Sequence, residues 1–184
     1  MNSYCSVASE HPLHDAYHST EYGFPQRDES VLFERLCLEI MQAGLSWGLV
    51  LRRRETMRGA FAAYNVDRVA AMGEADEARL LADPGIIRNR LKVRAVVENA
   101  RRVQAMRESH GGFARWLDAH HPREKEEWVK LFRKTFKFTG GEIVGEFLMS
   151  LGYLRGAHSE DCPVYARILT SRPPWYVSKR DKTQ

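Results

Sequence analysis

The sequence predicts an all-α protein. Three observations carry this reading. Apolar residues recur at three- and four-residue steps along almost the whole chain, strand-like alternation is scarce, and residues that cap or stop helices fall between the periodic stretches. These stretches amount to about eight or nine helices.

Taken in order, the first clear stripe is Leu32, Phe33, Leu36, Ile40 and Ala43, with Asp28 or Ser30 as its N-cap and Gly44 as its stop. Ser46 can cap the next helix, which carries Trp47, Leu49, Val50 and Met57. Asp67 can start a short helix bearing Val69, Ala70 and Met72, and Asp83-Pro84-Gly85 reads as a turn. A long helix then runs from about Asn89 to Glu108, with Val93, Val96, Val97, Ala100 and Val103 inward and a basic opposite face. Trp116 and Leu117 mark a short helix, and Trp128, Leu131, Phe132 and Phe136 mark another. Gly140-Gly141 interrupts the pattern, and Ile143, Val144, Phe147, Leu148 and Leu151 resume it up to Gly152.

The chain has 184 residues, enough for one domain or two small helical lobes sharing one cleft, on a prior of roughly 150 residues per domain. We read residues 1–184 as one unit, because no repeat, linker or low-complexity segment divides them. No apolar run approaches the ~20 residues that span a bilayer, and Met1 to Cys5 carries no secretory pattern. The odd count of three cysteines argues against a disulfide framework. The expectation is a cytoplasmic monomer.

The net charge is +4, and its placement is uneven. One cluster holds Arg88, Arg90, Lys92, Arg94, Arg101, Arg102 and Arg107; a second holds Lys130, Arg133, Lys134 and Lys137; a third is Arg52 to Arg54. Such clusters are the footprint of a phosphate-backbone partner, or else solvated helix faces.

Three features carry chemistry. Cys5 with His18, and His158 with Cys162, supply two thiolates and two imidazoles from opposite ends of the chain. Together they make a closed tetrahedral zinc set, structural because no position is left for water; the competing reading is unrelated free cysteines near histidines. Cys37 falls on an apolar face and reads as core. Glu39 lies seven residues after Leu32 and three after Leu36, so its carboxylate sits on the inward stripe. It is either a charge at the stripe's edge, paired with an arginine, or a carboxylate lining a pocket. Tyr17, Tyr22 and Trp47 nearby offer flat rings that suit a planar base. Finally, Phe136 to Ile143 places Thr139, Gly140 and Gly141 between two helices, where glycines let backbone N–H groups approach a phosphate, although such turns are common.

These residues coincide in one pattern. Ala16-Tyr17-His18, Glu21-Tyr22-Gly23, Cys37-Leu38-Glu39, Gln42 to Trp47, Gly85 to Arg88, Asn99-Ala100-Arg101 and Phe136 to Gly140 make the chain resemble the Tag-type 3-methyladenine DNA glycosylase I family, from Cys5 to about Cys162. The resemblance implies the helix-hairpin-helix glycosylase fold, with a structural zinc on Cys5, His18, His158 and Cys162 joining the two ends. It implies a monofunctional hydrolase that excises 3-methyladenine from alkylated double-stranded DNA. It places Glu39 as the catalytic carboxylate, Tyr17, Tyr22 and Trp47 around the flipped base, and Thr139, Gly140 and Gly141 at the DNA backbone. Asp161 falls near the spacing of the superfamily's catalytic aspartate but lies between zinc ligands, so it reads as solvated. Three departures bear on lesion range. Val7 and Tyr22 stand where the family usually has tryptophan, and His14 where it often has another aromatic. The alternatives are a lesion-binding protein of the same fold without catalysis, and a glycosylase redirected to bulkier adducts.

Overall fold

The computed structural model describes residues 4–8 and 10–180. Among them are α-helices and one 3-10 turn, and no strand. The helices are α1 (Tyr4–Ala8), α2 (Pro12–Thr20), α3 (Glu29–Gln42), α4 (Trp47–Ala60), α5 (Val66–Ala70), α6 (Glu74–Ala82), α7 (Arg90–His110), α8 (Phe113–His120), α9 (Lys125–Thr135), α10 (Gly141–Ser150), α11 (Tyr165–Thr170) and α12 (Pro174–Arg180), with the 3-10 turn at Ala62–Tyr64. The count exceeds the expected eight or nine because α1, α2, α11 and α12 are too short to show a periodic stripe.

Capping follows the sequence at two of three helix starts. Asp28 accepts the Val31 N–H at 3.0 Å and Ser46 the Leu49 N–H at 3.4 Å. At the start of α7, Asn89 accepts the Lys92 N–H at 3.1 Å. Asp67 does not start its helix. Asn65 caps α5 by accepting the Arg68 N–H at 3.0 Å, and Asp67 faces outward to Gln104 and Arg107. Gly44 takes φ +78° in the turn between α3 and α4, a conformation that a side chain would strain. At Gly152, φ is +74° and an added Cβ would come within 2.6 Å of Pro173. That close approach seats the C-terminal segment, whose Trp175 N–H donates to the Gly152 carbonyl at 3.1 Å.

Helix α3 is the axis of the fold. Every residue from Leu32 to Met41 is buried, and α4, α5, α7, α8 and α10 pack around it. Apolar side chains all round make a helix suited to the centre of a domain. Its polar members, Glu34, Arg35 and Glu39, are buried too and so need partners or a purpose. Beneath α9 and α10 lies an aromatic layer in which Phe113 stacks on Phe147 at 5.9 Å and Phe132 meets Phe136 at 5.2 Å. This layer fixes the angle at which the 136–140 segment leaves α9.

The basic clusters divide into two kinds. Most of the first is consumed inside the fold. Arg94 pairs with Glu77, Arg101 donates to the Ala70 and Met72 carbonyls, Arg102 to the Thr135 carbonyl, and Arg107 to Glu29 and Asp67. Lys92 is not on the outer face of α7 as expected. It is buried, with Nζ donating to the Met41 carbonyl at 2.8 Å and the Ala43 carbonyl at 2.6 Å. Lys130, Arg133, Lys134 and Lys137 by contrast stay exposed on α9 and the turn that follows. No described helix is long and apolar enough to cross a membrane.

Candidate active site

A cavity of about 660 Å³ opens between the N-terminal helices and the α9–α10 turn. That is within the usual range for a small-molecule site. Glu39 and Gln42 reach it from α3, Trp47 from α4, Tyr4 and Tyr17 from α1 and α2, and Tyr22 from the turn after α2. Gly140, Gly141 and Glu142 border it at the start of α10, and Glu146 lines it one turn further on.

The walls are aromatic. Tyr17 meets Trp47 edge-on at 5.0 Å and Tyr22 at 5.8 Å, while Tyr4 meets Tyr22 edge-on at 5.5 Å. The indole Nε1 of Trp47 is buried and finds no acceptor at hydrogen-bonding geometry, although the Tyr4 hydroxyl is close enough to be influenced by it. Tyr17 is locked from behind. Arg35 lies over its ring at 5.0 Å and donates to its hydroxyl at 3.3 Å. Arg35 also pairs with Glu21 at 2.9 Å, Glu21 with Arg54, and Arg54 with Glu34 at 2.7 Å, so the guanidinium is itself held in a buried ion network.

Glu39 is the polar centre. It is 5% exposed and lines the cavity, and no described residue gives its carboxyl a hydrogen bond. Burial first, then the negative charge of Glu146, push its pKa up to about 8, against the opposing pull of Arg35. The acid is therefore not a charge at the stripe's edge. It is a desolvated group aimed into a slot walled by flat rings. Tyr22 donates its hydroxyl hydrogen to Glu146 Oε2 at 2.8 Å, which ties the turn after α2 to α10.

The α9–α10 turn is pinned from α7. The Asn99 side chain, fully buried, donates to the Lys137 carbonyl at 3.0 Å and accepts the Lys137 N–H at 2.7 Å. Gly140 is the N-cap of α10 and no side chain caps that helix, so the first N–H groups of α10 are left to an outside acceptor. Gly140 and Gly141 border the cavity; Thr139 does not, since it is buried and its hydroxyl donates to the Phe136 carbonyl at 3.5 Å.

A second cluster lies behind Tyr22. One ligand atom from each of Cys5, His18, His158 and Cys162 falls within 4.8 Å of the others, and the group could hold a metal ion. His158 Nδ1 lies 3.8 Å from Cys5 Sγ and 3.4 Å from Cys162 Sγ, and His18 Nε2 lies 3.6 Å from Cys162 Sγ. His158 Nε2 meets the Tyr22 carbonyl at 2.7 Å, which assigns the proton to that nitrogen and leaves Nδ1 free to ligate. Burial holds both imidazoles below their ordinary pKa, as neutral donors. Asp161 between them is exposed.

Sequence reasoning missed Tyr4, Arg35, Gln42 and Glu146. Of these only Glu146 left a signal, an acid three residues after Ile143 and next to Phe147 on an apolar stripe, the same kind of position that singled out Glu39.

With this geometry in hand, similarity can be weighed. The family model for methyladenine glycosylase matches residues 7–165. DNA-3-methyladenine glycosylase 1 of Escherichia coli is 35% identical, covering 88% of this chain and 96% of its own length. DNA-3-methyladenine glycosylase of Haemophilus influenzae is 33% identical, covering 89% and 98%. Among solved structures, a crystal structure of 3-methyladenine DNA glycosylase I superposes with a TM-score of 0.78 at 36% identity, over 86% of this chain and 97% of that one. The Staphylococcus aureus 3-methyladenine DNA glycosylase I, solved for its recognition of 3-methyladenine, gives a TM-score of 0.78 at 29% identity over 88% and 95%.

Proposed function

We propose that this chain, which belongs to the methyladenine glycosylase family, is a base-excision repair glycosylase that hydrolyses the N-glycosidic bond of 3-methyladenine in alkylated DNA. The observation that carries the reading is Glu39: a buried carboxyl with no hydrogen-bond partner among the described residues, facing an aromatic slot large enough for a purine.

The chemistry asks little of an acid catalyst. 3-Methyladenine in DNA is cationic and leaves as a neutral base, taking the bonding electron pair with it. Water adds its hydroxyl to the sugar carbon and releases its proton. The protein must extrude the nucleotide, at a cost of a few kcal/mol that is smaller for a poorly paired base, and hold it. Trp47 and Tyr17 offer ring faces to the cationic base. Glu39, once ionised, accepts a hydrogen bond from the base edge and stabilises positive charge as the bond breaks. No lysine is among the described residues that line the slot, and we read the product as an abasic site.

The 136–140 turn and the uncapped start of α10 make a helix-hairpin-helix element. We assign Gly140 and Gly141 to the DNA backbone, with Thr139 holding the turn's shape from inside. The exposed cations from Lys130 to Lys137 flank it. Cys5, His18, His158 and Cys162 suit zinc by donor type, two thiolates and two imidazoles, and three of their separations are 3.8, 3.4 and 3.6 Å. Four protein donors would leave no open position, so a metal there would fasten the two ends of the chain together and take no part in the reaction. We read the chain as one domain of two lobes around the slot, acting as a monomer in a reducing cytoplasm.

The test is release of free 3-methyladenine from methylated DNA, by the wild type and by Glu39→Gln. The expected result is release by the first and strong loss in the second. Lesion binding without release by the wild type overturns the reading in favour of a binding protein.

A further inference from the structure

Three carboxyl groups line the slot. Glu142, at its rim, is exposed and pairs with Lys125 at 3.6 Å, and of the two deeper ones only Glu39 is accounted for by the reaction. Glu39 comes from α3 and Glu146 from α10, and both line the same cavity. Glu146 is fixed by the Tyr22 hydroxyl, which donates to Oε2 at 2.8 Å. We propose that Glu146 is a specificity-determining residue: a second carboxylate, held by Tyr22, that shares the slot with Glu39 and makes the pair prefer a cationic purine to a neutral one. The proposal rests on the glycosylase reading for its substrate and deepens it.

The argument is electrostatic. Glu39 is buried and no described residue gives its carboxyl a hydrogen bond, whereas Glu146 accepts one from Tyr22. Burial, then the negative charge of Glu146, push the pKa of Glu39 up to about 8, so the empty slot holds Glu39 protonated at neutral pH. A cationic base entering between them relieves the repulsion, and Glu39 gives its proton to solvent. A neutral base of the same shape brings no such relief. The remaining groups facing Glu39 do not undo this. Arg35 acts from α3 itself and is committed to Glu21 and Tyr17. The Tyr4 hydroxyl is pushed up to about 12, and those of Tyr17 and Tyr22 higher still, so all three stay neutral.

The test is calorimetric titration of the full-length, metal-loaded protein with two small probes: the 3,9-dimethyladeninium cation and neutral 9-methyladenine. The wild type is expected to prefer the cation. Glu146→Gln keeps an acceptor for Tyr22 but removes the charge, and should lower that preference by about tenfold while leaving 9-methyladenine binding within about twofold. Cation affinity should rise with pH up to about pH 8 in the wild type, and the rise should move to lower pH in Glu146→Gln. Tyr22→Phe, which frees Glu146 without removing it, should give an intermediate preference. Equal binding of the two probes by the wild type, or parallel loss of both in Glu146→Gln, overturns the proposal. Base release from methylated DNA is measured beside it. No release with the cation preference intact removes the glycosylase reading alone, and release without the preference removes this proposal alone.

Discussion

Asn99 and Lys137 exchange two hydrogen bonds across the α7–turn contact: the side-chain amide donates to the Lys137 carbonyl at 3.0 Å, and the Lys137 N–H returns one to Asn99 Oδ1 at 2.7 Å. A buried side chain thus stands in for a strand partner and holds the α9–α10 turn in one shape. Asn99→Ala leaves both backbone groups unsatisfied, at about 1–3 kcal/mol each. The expected outcome is weaker DNA binding with nearly normal affinity for the free base, read by titrating the variant with duplex and with 3-methyladenine separately. Equal loss of both would show that the turn does not act alone.

Glu39→Gln should lower base release by about 10²-fold or more, the scale seen when one preorganised electrostatic group is removed. Single-turnover release from methylated DNA reads it, and activity near the wild-type rate would remove Glu39 from the chemistry.

The same substitution should change how stability depends on pH. Unfolded, Glu39 titrates at its ordinary 4.5; folded, at about 8. Between those values the folded chain binds more protons than the unfolded chain, so this group's contribution to stability declines as pH rises through the window and is flat beyond it. The decline is on the order of a few kcal/mol. Urea unfolding at about pH 5 and about pH 8 should show the Gln variant gaining on the wild type at the higher pH. A constant difference across the two conditions would contradict a buried, protonated Glu39.

Lys92→Met should both destabilise and loosen the slot. Its ammonium satisfies the Met41 and Ala43 carbonyls at the end of α3 and lies 5.8 Å from the Phe138 ring on the α9–α10 turn. Losing it leaves two carbonyls short of a donor, at about 1–3 kcal/mol each where buried. Raised KM with a smaller change in kcat is the expected kinetic signature.

Charge reversal separates the two kinds of arginine and lysine. Lys134→Glu and Lys137→Glu should each reduce the slope of log affinity against log salt by about one, with little effect on stability. Arg107→Gln should do the opposite, because its guanidinium bridges Glu29 and Asp67.

Metal removal by a chelator at neutral pH should lower Tm by about 10 °C or more, equivalent to about 3 kcal/mol in a chain of this size. Metal analysis should find one ion per chain, and Cys162→Ser should reproduce the loss.

The longer helices were legible. α3 and α4 announce themselves by stripe and cap, α7, α9 and α10 by stripe, and Glu39 by being an acid on an apolar stripe. The terminal helices α1, α2, α11 and α12 were not; α1 or α11 has too few residues to show a period and is held by the Cys/His cluster and by packing. The slot's outer wall was hidden for a different reason. Glu146 and Tyr22 are 124 residues apart, and no local pattern records that they meet. Lys92 looked like one of many surface cations, since a basic residue on a basic helix carries no mark of burial.

Tyr22 belongs to two structures at once. Its carbonyl accepts a hydrogen bond from His158 Nε2, and its ring hydroxyl donates to the acid on α10. A disturbance near Cys5, such as a fusion partner or an oxidised thiol, therefore has a route through Tyr22 to the slot that Glu39 lines. Damage to the clasp should appear as poorer choice of base before it appears as unfolding.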